Sequence, residues 1–282
     1  MHDYILTLSC PDRTGIVHAV TGWLLKQQGN ILEAQQYGDP ETEHFFLRIH
    51  FGLPTAATPA DLRERFDIVA RAFNMQAQIH DAQKPARLLL LASKQGHCLN
   101  DLLFRWRAKQ LAVDIVGVVS NHDTHQDMVK SYGLPYYHYP VTATTKTAQE
   151  QKVLQLVDEL QVDLVVLARY MQILSPHACE VLNGRAINIH HSFLPSFKGA
   201  RPYYQAHARG VKLIGATAHY VTKDLDEGPI IEQDVAHVNH SMSVQDLTRV
   251  GSDIESLVLA RAVAAHVEHR ILLNGQRTIV FR

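Results

Sequence analysis

The stretch Ile187-Asn188-Ile189-His190-His191-Ser192-Phe193-Leu194-Pro195 brings an amide, imidazoles and a hydroxyl to the end of an apolar run. Asn188 and His190 stand two apart, so on an extended strand their side chains share one face. Both can then address a single carbonyl oxygen. Further along, Asp224-Leu225-Asp226-Glu227-Gly228-Pro229 forms an acidic turn leading into a strand. A carboxylate there can orient the imidazole or hold a water. Together the three groups suit attack on a carbonyl carbon. By spacing alone, a polar strand end with a satisfied histidine is the commoner explanation of Asn-x-His.

The rest of the composition narrows the chemistry. With 27 Lys and Arg against 28 Asp and Glu, the net charge of -1 offers no basic face, which disfavours nucleic acid. Cys10, Cys98 and Cys179 form neither a CxxC motif nor an even disulfide framework, so a reducing compartment is expected. The 18 histidines include no HExxH and no compact zinc spacing, so no metal is expected. His190 and His191, being adjacent, are expected on opposite faces. The N-terminus lacks the pattern of a signal peptide, and no apolar run is long enough to cross a bilayer. A cytoplasmic protein without a membrane partner is the expectation.

The 282 residues favour about two domains, and the elements that must position these groups divide accordingly. Residues 4–9 alternate like a half-buried strand, with Asp12 and Thr14 as candidate caps of a helix running to 28 and closed by Gly29-Asn30. Strands are predicted at 31–37 and 44–51, a helix at 59–73 and a last strand at 75–79, giving a ferredoxin-like βαββαβ order. Lys84-Pro85-Ala86 reads as a linker, separating domain 1–83 from domain 84–282.

In the second domain the apolar strands 87–93, 114–120, 164–168 and 186–189 alternate with amphipathic stretches at 99–109, 123–132 and 147–160. Runs apolar throughout predict strands covered on both faces, hence α/β with a doubly wound, mostly parallel sheet. Two further strands, 213–221 and 229–238, precede a long helix over 243–271. In such a sheet ligands bind beyond the carboxyl ends of the strands, where Asn188 and His190 would sit.

The segments INIHHSFLPSFKGARPYYQA (187–206) and GATAHYVTKDLDEGPIIEQDV (215–235) resemble the core of the folate-dependent formyltransferases, over roughly 87–264. The resemblance implies that Asn188, His190 and Asp226 are the catalytic triad. The segment Ala168-Arg169-Tyr170-Met171-Gln172-Ile173-Leu174-Ser175 resembles the loop bordering the folate. It implies substrate contacts from Arg169, Tyr170, Met171, Ile173 and Leu174, joined by Ser192, Asp224 and Gly228. Ser175-Pro176 also reads as an ordinary helix start. The first domain, with Ser9-Cys10-Pro11-Asp12-Arg13-Thr14-Gly15-Ile16-Val17 and Gly29-Asn30-Ile31, is similar to ACT domains. That likeness implies pairing into an even-numbered homo-oligomer and an amino-acid effector held by Asp12, Arg13, Gly15, Ile16 and Asn30.

Family members that formylate glycinamide ribonucleotide carry a Ser-Gly-x-Gly-Ser-Asn loop cradling the acceptor's phosphate. Here the matching residues are Ser93-Lys94-Gln95-Gly96-His97-Cys98. With the ACT-like module, this departure implies water as the acceptor. The expected enzyme is therefore a hydrolase of a linear amide C–N bond, cleaving 10-formyltetrahydrofolate to tetrahydrofolate and formate. It would balance one-carbon folate pools and supply formate for purine synthesis. The folate is substrate, and no cofactor is implied. Transfer of the formyl group to a small acceptor, or a non-catalytic folate or amino-acid sensor, are the alternatives.

Overall fold

Tyr4, Leu6, Leu8 and Cys10 share the buried side of β1 (His2–Pro11) in the computed structural model, which describes residues 1–194 and 202–282. Helix α1 (Ile16–Lys26), strands β2 (Asn30–Asp39) and β3 (His44–Leu53), helix α2 (Pro59–Phe73) and strand β4 (Gln76–Asp81) follow. The four strands form one antiparallel sheet in the order β2-β3-β1-β4, the βαββαβ arrangement expected from the sequence. Ile16, Val20, Trp23 and Leu24 of α1 and Leu62 and Phe66 of α2 join Leu6, Leu8 and Phe51 in a single core, so both helices cover the same face. Thr58 and Asp61 form a capping box that starts α2, with Pro59 in its first turn.

The start of α1 departs from expectation. Neither Asp12 nor Thr14 caps it; Gly15 does, at φ 93 and without a side-chain bond. The turn enters the helix through a left-handed residue, a conformation that glycine adopts without steric cost. At the other end Gln28, not Gly29, takes the left-handed backbone, at φ 57. Gly29 serves close approach instead, since a Cβ there would lie 3.2 Å from Leu24 O.

The second unit begins with β5 (Ala86–Ala92), α3 (His97–Arg107), β6 (Val113–Ser120), α4 (Gln126–Ser131) and β7 (Tyr136–His138). It continues through α5 (Lys146–Glu159), β8 (Leu164–Leu167), α6 (Pro176–Val181), β9 (Ala186–His190), α7 (Pro202–Ala208), β10 (Leu213–Tyr220), β11 (Ile230–His237) and α8 (Val244–Val267). Its seven-stranded sheet has the order β11-β10-β9-β8-β5-β6-β7. The five strands from β9 to β7 are parallel, and β10 and β11 add antiparallel edges. Leu88, Leu89, Leu90 and Leu91 have no exposed surface, as a strand covered on both faces requires. Short β7 and α7 were not expected; three and seven residues are too few to show a period. No helix among the described residues is long and apolar enough to cross a membrane.

The C-terminus corrects the expected division at 83/84. The predicted helix over 243–271 stops at Val267, and residues 271–280 turn into a hairpin of β12 (Ile271–Asn274) and β13 (Arg277–Val280). Gly275, at φ 61, takes the first central position of its two-residue loop, as a type II′ turn requires. By contacts the chain divides into Met1–Pro85 with Glu268–Arg282, and Ala86–Val267. Leu272 and Phe281 bury themselves on Phe46 of β3. Buried Asp39 accepts hydrogen bonds from Asn274 Nδ2 at 2.6 Å and Arg277 Nη2 at 3.0 Å. The Arg48 guanidinium, also buried, donates to Glu33 Oε2 at 2.9 Å and to the carbonyl of Glu268 at 3.0 Å. The last fifteen residues therefore complete the first unit. Phe281→Ala should destabilise that unit by about 2–4 kcal/mol, while Leu273→Ala, on the exposed side, should change it by less than about 0.5 kcal/mol. Denaturant unfolding of both variants checks this; equal losses would show that the hairpin side facing Phe46 does not matter.

Candidate active site

The polar residues of two neighbouring strands build the site. Antiparallel pairing of β9 with β10 sets His219 opposite Asn188 and Thr217 opposite His190. Partners directly opposite share a face, so four polar side chains gather on one patch of an otherwise apolar sheet. Thr217 holds the chain as it leaves β9: its Oγ1 donates to Ser192 O at 2.9 Å and accepts from Leu194 N at 3.1 Å. Gln233 Nε2 of β11 donates to the same Thr217 Oγ1 at 2.9 Å.

The carboxylate arrives on the loop between β10 and β11. Tyr220 N donates to Pro229 O at 3.0 Å and closes that loop at its base. Gly228 is mandatory there, because a Cβ would lie 1.8 Å from Tyr220 O. Asp226 adopts a left-handed φ of 56 inside the turn. Such a backbone costs energy in a non-glycine residue, and aspartate tolerates it better than most. Asp226 Oδ2 meets His190 Nδ1 at 3.2 Å. The three residues singled out from the sequence thus converge.

Hydrogen-bond chemistry fixes the tautomers. A carboxylate only accepts, so His190 carries its proton on Nδ1 and presents a bare Nε2 when neutral. That Nε2 is buried and has no partner among the described residues. His219 Nδ1 donates to Tyr220 O at 2.9 Å, leaving its Nε2 to accept from Asn188 Nδ2 at 3.3 Å. One amide N–H of Asn188 is so engaged, and the other has no partner among the described residues. The approach of His219 Nε2 to Asp226 Oδ1, at 3.7 Å, is too long for a hydrogen bond. Burial pushes the Asp226 carboxyl up, but the hydrogen bond from the His190 N–H outweighs it and holds the group well below the usual carboxylate range.

His191 does not face away from His190. The strand ends at His190, and the two rings stack with centroids 5.0 Å apart. Burial and the neighbouring Arg169 guanidinium push His191 down to about 4, so it stays neutral. Arg169 has φ 63 and is buried; it reaches His191 Nδ1 and donates from Nε to Gln95 Oε1 at 2.7 Å.

The expected folate loop splits by side chain. Met171 and Ile173 are exposed, apolar and free to flank a flat ring. Tyr170 instead turns inward, its hydroxyl accepting from Gln149 Nε2 at 2.8 Å, and Leu174 joins the core. Arg169 likewise faces a buried network. Ser192 is buried, and Asp224, itself exposed, shapes the turn by accepting from Thr222 Oγ1 at 3.0 Å through its carbonyl. Residues 195–201 of the motif lie outside the described residues. In the first unit, Asp12, Arg13 and Gly15 form the turn before α1, and Arg13 lies over the Phe73 ring at 4.2 Å. Ile16 is in the core and can offer a ligand only its backbone, and Asn30 opens β2.

His219 and Glu255 escaped the sequence reading. The signal for His219 was Thr217-Ala218-His219, a polar alternation in an apolar strand that mirrors Asn188-Ile189-His190. Glu255 of α8, 1% exposed, carried no local signal. Its carboxylate lies with His97 and Cys98 within metal-binding reach, their ligand atoms within 4.8 Å of one another. The donor set suits a cation poorly. His97 Nε2 at 2.7 Å and Tyr203 OH at 2.6 Å occupy the carboxylate, and the Arg169 guanidinium stands 3.3 Å away. Burial and the Glu255 charge push the Cys98 thiol up, which keeps it protonated.

Comparison with known proteins identifies the family of the chain. The formyl transferase family matches residues 86–263. The chain is 49% identical to the formyltetrahydrofolate deformylase of Corynebacterium sp. (strain P-1), across 99% of this chain and 98% of that protein. The crystal structure of formyltetrahydrofolate deformylase from Burkholderia mallei ATCC 23344 superposes with a TM-score of 0.95 at 51% identity, covering both chains fully. Glycinamide ribonucleotide transformylase 1 from Symbiobacterium toebii covers 70% of this chain and 95% of its own, with a TM-score of 0.67 and 29% identity.

The depressed Asp226 has a measurable consequence. Its partners stabilise the folded protein above the ordinary aspartate value of about 3.9 and that contribution is lost as pH falls through the folded value. Carboxyl carbon NMR should find Asp226 titrating below 3.9 in the wild type and moving upward in His190→Ala. An Asp226 that titrates above that value in the wild type contradicts the pairing.

Proposed function

We infer the reaction from one premise: this chain belongs to the formyltetrahydrofolate deformylases, a branch of the formyl transferase family. It hydrolyses 10-formyltetrahydrofolate to tetrahydrofolate and formate. Full-length likeness to deformylases, against partial likeness to a transformylase, favours water over a larger acceptor. The observation that carries the mechanism is the buried Nε2 of His190, without a partner among the described residues, behind an Asp226-bound Nδ1.

A carboxylate held far below its usual range is a weak base, so Asp226 is better suited to orient His190 than to take water's proton itself. Water attacks the formyl carbon and gives its proton to His190 Nε2. The charge that grows on the formyl oxygen is met by the spare N–H of Asn188. The C–N10 bond then breaks, and the imidazolium returns the proton to the departing N10; formic acid ionises as it leaves. Asp226 steadies the transient imidazolium, as in other carboxylate–imidazole pairs. Neutral His191, stacked on His190, adds no opposing charge. Met171 and Ile173 would border the pterin, and the turn at Asp224 and Gly228 would hold the carboxylate in place.

The first unit we assign as an ACT module, on its sheet order and the glycine-capped turn before α1. There the backbone N–H groups after Gly15 would receive an amino acid's carboxylate, and the module would pair chains into an even-numbered oligomer. In the cytoplasm the enzyme would adjust one-carbon folate pools and release formate for purine synthesis.

Assayed in H₂¹⁸O without any amine acceptor, the protein should release formate carrying one ¹⁸O. Asn188→Ala should slow release by roughly a hundred- to a thousand-fold. Asp226→Asn should nearly abolish it with folate affinity retained. Formate that appears only when an amine is added, or full turnover by Asp226→Asn, would overturn the mechanism. For the first unit, at least one of the twenty amino acids should raise the melting temperature, and Gly15→Val should remove that rise. No response to any of them contradicts effector binding.

A further inference from the structure

Glu255 is a buried charge that the hydrolysis does not use. It sits where a doubly wound sheet holds ligands. From β5 the chain runs to β6 on one side, and β8 lies on the other, so the switch point falls between β5 and β8. The turns after these strands supply Gln95 and Arg169, and α3 opens there with His97. Everything an incoming anion would seek is present: the Arg169 guanidinium, the His97 imidazole and the Tyr203 hydroxyl. All three already address Glu255, at 3.3, 2.7 and 2.6 Å.

The neighbouring backbone fits this filled state closely. A Cβ at Gly251, four residues before Glu255 on α8, would lie 2.0 Å from the Tyr203 hydroxyl. A Cβ at Gly96 would lie 2.6 Å from the His125 ring. The two glycines let the Tyr203 and His125 rings pack directly against the backbone. Burial pushes the Glu255 carboxyl up, but its bond from His97 and the Arg169 charge prevail and hold it below the usual range, so it stays ionised. A second anion would meet that charge at short range in a site poor in water, where repulsion is costly.

We propose that Glu255 is a specificity-determining residue: a built-in anion that occupies the donors of the switch-point crevice and bars phosphate-bearing acceptors, leaving water to take the formyl group. This deepens the hydrolytic reading and rests on it. Removing the charge while keeping the shape should turn the same donors into a phosphate site.

The test is ³¹P line broadening of inorganic phosphate with the whole protein and its Glu255→Gln and Glu255→Asp variants. Formate release without phosphate is measured separately. Wild type and Glu255→Asp should leave the phosphate signal sharp; Glu255→Gln should broaden it, with affinity at least roughly tenfold higher. A folded Glu255→Gln blind to phosphate, or a Glu255→Asp that binds as well, overturns the proposal. Should Glu255→Gln not fold, Glu255→Ala is melted with and without phosphate: a rise in melting temperature supports the filled crevice, and none contradicts it. Wild type that releases no formate would refute the reaction, whereas the phosphate arm alone judges Glu255.

Discussion

The pairing of Asp226 with His190 is the constraint on which the site turns. It decides which imidazole nitrogen holds the proton, and so which one is left to act. Much of the surrounding structure serves to hold it. Gly228 lets the loop fold back on Tyr220, and Asp226 accepts a left-handed backbone to aim its carboxylate. Register between β9 and β10 then sets Asn188 beside His219, so an amide and an imidazole are oriented by separate partners. Burial makes each of these interactions consequential, because an unsatisfied polar group there is costly. Among the described residues His190 Nε2 is left without a partner, and it is the nitrogen the proposed reaction needs.

Two carboxylates, half-buried Asp226 and buried Glu255, divide the labour of the second unit. Asp226 orders one reactive ring. Glu255 neutralises Arg169 and holds the donors around it. His191 joins the two systems: it touches Arg169 on one side and stacks on His190 on the other, and it stays neutral between them. A buried ion pair is weak support for stability in itself, since desolvation offsets much of the attraction. Here the partners of Glu255 are the donors that a phosphate would need, which is the ground for the specificity role proposed for it.

The amide, imidazole and carboxylate were legible because each lies in a short local motif with a strand or turn to place it. His219 and Glu255 were not, since their roles depend on strand register and on a helix far along the chain, although the Thr217-Ala218-His219 alternation was a usable sign. The folate loop shows the same limit: its residue types were informative, but only the fold separates outward Met171 and Ile173 from inward Tyr170 and Leu174. Continuous apolar runs revealed the parallel sheet for a physical reason, namely that both faces are covered. At the C-terminus Asn274-Gly275 signalled a hairpin that the helical periodicity before it masked. The α1 cap misled because side-chain capping is the usual device, and here a left-handed glycine replaces it.

Nitrogen NMR of ¹⁵N-labelled histidine, assigned through a His190→Gln variant, reads the tautomer of His190 in the resting protein. The account predicts the proton on Nδ1 and a bare Nε2 in the neutral ring, with that preference lost in Asp226→Asn. A neutral His190 protonated on Nε2 in the wild type would contradict it, because no basic nitrogen would then face the water.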